Sequence, residues 1–290
     1  MSPTQLNEQF GVPGLVHFET GNGGLTRAMV NSLHAESEVY LYGAHVTRFQ
    51  PRGAQPVLWM SRCSEFSQGK PIRGGVPICF PWFGPQAGDP SAPLHGLARL
   101  KEWTVQSVSR TADSTDLTLS LALLNTYAVT FTLSVGQTLG MSLNVRNISG
   151  QPITCEEALH TYFSVGDIRQ TTVTGLEDTR FITRVPTIQT LDQGSQALVF
   201  TGETDRVYLD TRSSCVIHDP VLGRKIVVAK SGSNTTVVWN PWIDKAKAML
   251  DFGDDEWPGM LCIETCNVKE YAIYLAPQQS HSIRAMITLA

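Results

Sequence analysis

Basic residues nowhere form a run in this chain. Its 22 lysines and arginines are outnumbered by 26 acidic residues, for a formal net charge of −4. That leaves no electrostatic footprint for nucleic acid or an anionic bilayer. No apolar stretch approaches the ~18 residues that a membrane helix needs. The opening MSPTQLNEQFGVPGL lacks a basic segment followed by an apolar one, so it does not read as a secretory leader. The six cysteines, Cys63, Cys79, Cys155, Cys215, Cys262 and Cys266, contain no C-x-x-C pair. A disulfide framework belongs to short secreted chains, and the expected compartment is the cytosol. The motifs GxSxG, HExxH and GxGxxG are absent, and no GK[ST] follows the glycines of IRGG. Serine hydrolase, zinc protease, dinucleotide enzyme and P-loop readings are thereby disfavoured.

Helical periodicity is equally scarce. Ile243, Ala246, Met249 and Leu250 are spaced for one short amphipathic helix. What is abundant is alternation. Leu117, Leu119, Leu121 and Leu123 alternate with small or polar residues. Val129, Phe131, Leu133 and Val135 do the same, as do Leu139, Met141, Leu143 and Val145. Each run predicts a strand with one buried face, and together they predict a three-stranded meander. Further strands are expected over 40–49, 225–230, 235–239, 271–275 and 282–289. Many strands with few helices predict an all-β protein, a large antiparallel β-sandwich, and 290 residues are compatible with a single domain over 1–290.

Three stretches carry side chains with chemistry. The first, IRGGVPICFPWFGPQAGDPSAPLHGLAR, runs from Ile72 to Arg99 and is too rich in Gly and Pro for regular structure. It reads as a long ordered loop bracketed by Arg73 and Arg99. Their planar donor forks suit phosphate or carboxylate oxygens. Trp82 and Phe83 either present apolar faces to a sugar or pack the loop onto the sandwich. The second, CEEALHTYF, would as a strand place Glu156, Ala158, His160 and Tyr162 on one face. Glu156 and His160 would then lie about 13 Å apart, so His160 needs a partner from elsewhere.

The third, LCIETCNV, gives Cys262, Glu264 and Cys266 one parity. The outer sulfurs would be about 13 Å apart, too far to share a zinc ion, whose bonds to sulfur are ~2.3 Å. A carboxylate between small side chains, its pKa raised by partial desolvation, suits a general base. Asp205, in GETDRVYLD, could accept hydrogen bonds from sugar hydroxyls or cap a turn.

In order along the chain, IRGGVPICFPWFG, LHGLAR, ALHTYF, TDRVYL, VVWNPW and CIET resemble the hexose-6-phosphate mutarotases, a branch of the aldose 1-epimerase, galactose mutarotase-like superfamily. The resemblance spans roughly residues 40 to 290. It implies a β-sandwich that interconverts the α and β anomers of hexose 6-phosphates, glucose 6-phosphate above all. No metal or organic cofactor is implied. It also implies His160 as general acid, Glu264 as general base, Arg73 and Arg99 as phosphate ligands, and His95 and Asp205 as partners of the sugar. Where some relatives carry Gln before the HG pair this chain has Leu94, and Thr265 replaces a Pro or Ala common after the glutamate. The expected partner is a small sugar phosphate, with no nucleic acid and no membrane, on a monomer. An epimerase for neutral aldoses and a non-catalytic sugar-binding protein are the competing functions.

Overall fold

The computed structural model describes residues 1–290. The alternating runs pair as their pattern predicts: Thr115–Leu123, Tyr127–Val135 and Thr138–Asn147 form antiparallel hairpins. Leu119, Phe131 and Leu143 lie opposite one another, as do Leu117, Leu133 and Met141, and all are buried. A period of two puts every second residue on one face, so the three runs make one apolar surface. This meander is part of a nine-stranded sheet that continues through Ser280–Leu289, Arg224–Ser231 and Cys215–Asp219.

An eight-stranded sheet is centred on Thr204–Tyr208, Thr235–Asn240 and Met260–Asn267, with Glu157–Leu159 and Ile78–Cys79 toward one edge. Four strands between Val16 and Pro51 form a separate sheet. One core of 61 buried residues runs from Leu6 to Ile287 and takes side chains from all three. The architecture is the antiparallel β-sandwich expected.

Thr235–Asn240 and Met260–Asn267 are buried at every position. Such strands are covered on both faces. Leu261 and Ile263 belong to the large core, whereas Cys266, with Val237 and Ala158, joins a smaller cluster capped by Phe83. The Ile72–Arg99 segment supplies that cap.

Several local expectations need correction. The 40–49 strand is two strands, Ala35–Tyr40 and His45–Pro51, because the chain turns through Gly43 and Ala44 at positive φ. In 271–275 only Ile273–Leu275 is extended, after a helical turn at Lys269–Tyr271. The predicted helix exists as Trp242–Ala248, but Leu250 lies beyond its end and is 96 % exposed. A second helix, Pro3–Phe10, starts at a capping box in which Ser2 Oγ accepts from the Gln5 N–H. The Ile72–Arg99 loop is not wholly irregular either, since Cys79 and Ile78 pair with Ala158 and Leu159.

Candidate active site

Strand register builds the centre of the site. Trp239 lies opposite both Asp205 and Cys262, and Cys262 lies opposite Tyr162. Two residues along, Glu264 lies opposite Val237. Directly opposed residues of antiparallel strands share a face, so Asp205, Trp239, Cys262, Glu264 and Tyr162 all project from the same side.

The predicted strand CEEALHTYF is interrupted. Glu157–Leu159 and Tyr162–Ser164 both pair with Met260–Asn267, the first with Ala158 opposite Cys266, the second with Tyr162 opposite Cys262. His160 occupies the break and falls level with Glu264 between them. His160 Nε2 is 3.3 Å from Glu264 Oε1. Glu156 is engaged away from the pair. Its carboxylate accepts the backbone N–H groups of Phe83 and Lys269 at 2.8 and 2.7 Å, and so ties the loop to the sheet.

Both members of the central pair are almost dry: His160 keeps 8 % of its exposure and Glu264 1 %. Burial penalises charge on each. Desolvation, with Asp205 adding to it, pushes the Glu264 carboxyl well above the usual carboxylate range. Desolvation, reinforced by the positive surroundings of His95, Arg73 and Arg99, pushes His160 well below an ordinary histidine. His160 therefore does not keep the ordinary imidazole value that is the natural expectation for an acid at neutral pH: burial disfavours charge on both members, which lie close enough to titrate as a pair. His160 Nδ1 and Glu264 Oε2 are buried without a partner. The imidazole stacks on Tyr162 at 4.8 Å and meets Trp239 edge-on at 6.3 Å.

Of the loop aromatics, Phe83 closes the smaller cluster and touches His95 edge-on at 4.6 Å. Trp82 is committed to the loop itself, its indole N–H donating to Pro93 O. The flat apolar wall beside the pair is Trp239, not Trp82.

The loop's path is fixed by close backbone approach. Gly96 sits at φ +78°, where a Cβ would fall 2.1 Å from Phe80 O. That oxygen already accepts the N–H groups of Leu97 and Ala98. Gly96→Ala is expected to cost at least ~1–3 kcal/mol of stability, the range of other strained backbone sites. It should also lower activity by displacing His95 and Arg99 on either side. Thermal melts and rate measurements on the variant check this.

His95 accepts the Gly84 N–H at Nδ1 (3.3 Å), which leaves Nε2 as its donor. Burial, together with Arg99, Arg73 and Arg184, pulls its pKa down to about 3, so it is neutral. His45 lies under the turn after Arg73, with Nε2 donating to Gly74 O at 2.8 Å. Burial lowers it to about 4. A histidine held neutral in the fold contributes stability above its unfolded value of ~6.5, and that contribution is lost as pH falls toward the folded value. His45 alone is worth about 3 kcal/mol on this basis. The melting temperature should fall as pH drops from 6.5 to 4, and less steeply in His45→Gln, as pH-resolved thermal melts will read.

Three arginines surround the pair, and they differ in what already holds them. Arg73 bonds to Asp251 through Nε (3.1 Å) and to the Tyr162 hydroxyl through Nη1 (2.9 Å). Arg99 spends one nitrogen on Leu94 O, and its Nε is buried without a partner. Arg184, which the sequence reading did not single out, follows the strand Arg180–Thr183. Its Nη2 would lie 3.6 Å from a Cβ at Gly84, and its charge acts on both Asp205 and Glu264. Neither Arg99 nor Arg184 is in an ion pair, in contrast to Arg73 with Asp251. Asp205 is desolvated too, which raises its carboxyl. The structure thus brings together all six of the expected residues, Arg73, His95, Arg99, His160, Asp205 and Glu264. A surface concavity of about 930 Å³ beside Thr172, His218 and Lys225 contains none of them.

The sequence signature of the family described as Aldose 1-epimerase matches residues 28–288. A protein of Escherichia coli (strain K12) named "Putative glucose-6-phosphate 1-epimerase" is 37% identical over 248 residues, covering 83% of each chain. One of the same name from Salmonella typhimurium is 36% identical over 258 residues, 87% of this chain and 84% of its own. The crystal structure of "a putative mutarotase (YeaD)" from Salmonella typhimurium superposes with a TM-score of 0.89 at 30% identity, over 97% of this chain and 95% of that one. Signature, sequence and fold agree over nearly the whole length, and the chain belongs to the aldose 1-epimerase family.

Proposed function

We propose that this protein interconverts the α and β anomers of a hexose 6-phosphate, glucose 6-phosphate in the first instance. The observation that carries the sugar phosphate, rather than a neutral aldose, is the pair of guanidiniums without an ion-pair partner, Arg99 and Arg184, beside the His160–Glu264 unit. A phosphate monoester is close to a dianion at neutral pH. Two unneutralised arginines suit it, whereas Arg73 is already offset by Asp251.

The reaction needs a proton removed from the anomeric hydroxyl and another delivered to the ring oxygen. These two oxygens share one carbon, so acid and base must be close neighbours, and 3.3 Å between Nε2 and Oε1 meets that requirement. With the shared proton on His160, the imidazolium protonates the ring oxygen while the Glu264 carboxylate takes the hydroxyl proton. The ring opens to the aldehyde, and the unit again holds one proton, now on Glu264. Rotation about C1–C2 and reclosure on the other face return it to His160. The neutral state that burial favours is therefore the state matching the open-chain sugar. His95, a neutral donor, and Asp205 hold hydroxyls, and Trp239 faces the sugar's C–H surface. No covalent intermediate is needed.

One chain with one main core supplies every residue in this scheme, so the scheme needs no second copy, and we read that chain as a single domain. The six cysteines are free, which supports a reducing, cytosolic placement; no helix is long and apolar enough to cross a membrane. Anomer exchange followed by NMR should be accelerated strongly for glucose 6-phosphate and much less for glucose. Equal acceleration of the two would identify a neutral-aldose epimerase, and saturable binding without acceleration would identify a sugar-binding protein.

A further inference from the structure

We propose that the floor of this site is also a binding site for one zinc-like divalent cation, held by His160, Cys262 and Glu264, and that the ion and the sugar exclude one another. Each of the three residues offers one ligand atom, and these atoms all lie within 4.8 Å of one another. Tetrahedral zinc with bonds of ~2.0–2.3 Å places its ligand atoms roughly 3.3–3.5 Å apart. The His160–Glu264 separation of 3.3 Å already meets this, so the sulfur is the atom that has to close in.

The triangle follows from the fold. Cys262 and Glu264 are two residues apart on one face of Met260–Asn267, and His160 stands across from them in the break of the neighbouring strand. Cys266, which shares their parity, is not part of the cluster. Apart from their 3.3 Å approach to each other, His160 Nε2 and Glu264 Oε1 have no partner, and the outer atoms of the same side chains, His160 Nδ1 and Glu264 Oε2, are buried with no hydrogen-bond partner.

The donor set decides the ion. Nitrogen, sulfur and carboxylate oxygen suit zinc, cobalt(II) or cadmium, whereas magnesium and calcium prefer oxygen alone. As the metal–sulfur bond forms, the Cys262 thiol gives its proton to solvent. Thiolate and carboxylate then match the two charges of the ion, so Arg73, Arg99 and Arg184 face a nearly neutral complex. Three protein ligands leave one tetrahedral position for water. The bound ion engages the lone pairs that the proton transfers require. The exclusion of sugar rests on the proposed function, whereas the binding of metal does not.

The test uses the full chain carrying Cys63→Ser, because Cys63 is an exposed thiol that could bind metal by itself. Titration with cobalt(II) should give one equivalent of bound ion with a near-ultraviolet thiolate-to-cobalt band, displaced by zinc. Cys262→Ser, and Cys262→Ala as a second variant checked by thermal melting, should lose that band. One equivalent of zinc should stop the anomer exchange of glucose 6-phosphate, and EDTA should restore it. Relative to its own metal-free rate, Cys262→Ser should need about 10–100-fold more zinc for the same fractional loss, the range typical of a disturbed metal site. No thiolate band, or a band that survives in both folded variants, overturns the proposal. A band that follows Cys262 while zinc leaves the rate unchanged supports the metal site and removes His160 and Glu264 from catalysis.

Discussion

Glu264→Gln slows the anomer exchange of glucose 6-phosphate by about 10²–10⁴-fold, the usual worth of one positioned proton transfer. The amide fills the same slot and still offers an oxygen to the sugar, so affinity should change little. Stability should hold or rise, because the substitution removes an ionisable group whose charged form burial penalises. His160→Asn should behave alike, and the double variant should be little worse than the poorer single one, since the two residues exchange one proton and act as a unit. The pH profile adds a second readout. Glu264 is displaced upward and His160 downward. On the proposed scheme of one shared proton, the wild-type rate should be flat over the interval between the two groups and fall on either side of it. Near-normal rates in both single variants would refute the assignment of acid and base.

Arg99→Gln and Arg184→Gln should each raise KM for glucose 6-phosphate by about 10–100-fold, because a hydrogen bond to a charged group is worth ~1.5–3 kcal/mol. The slow reaction of free glucose should be untouched. Part of the effect should fade at high salt, as it does for charges that water can reach. Arg73→Gln is expected to differ. Its guanidinium holds Asp251 and the Tyr162 hydroxyl, so its loss strands a half-buried carboxylate and should lower both stability and turnover of either sugar. If Arg99→Gln and Arg184→Gln slow both sugars equally, these arginines belong to the scaffold and the phosphate is held elsewhere.

The meander of Leu117 to Val145 was legible because its period of two survives into the sheet without slippage. The common direction of Cys262, Glu264 and Cys266 was legible for the same reason, Met260–Asn267 being an unbroken strand. Local pattern could not show that His160 meets Glu264, since this depends on pairing between segments about a hundred residues apart. It also depends on an interruption that alternation conceals. Arg184 was invisible for a simpler reason: it lies just past a four-residue strand, in no motif, and only the folded loop brings Gly84 beneath it. Of the two readings of Trp82, packing within the loop is the one that its indole N–H bond to Pro93 O supports.

The strand that carries Glu264 is wrapped on both sides and has paired neighbours along both edges. Amide hydrogens in such a segment exchange with deuterium only when the molecule opens as a whole. The Glu264 carboxylate is thus mounted on a segment expected to exchange slowly, and local fluctuation of the surface loops should leave it in place. Its alignment should persist on heating almost to the global unfolding transition, with activity and fold disappearing together.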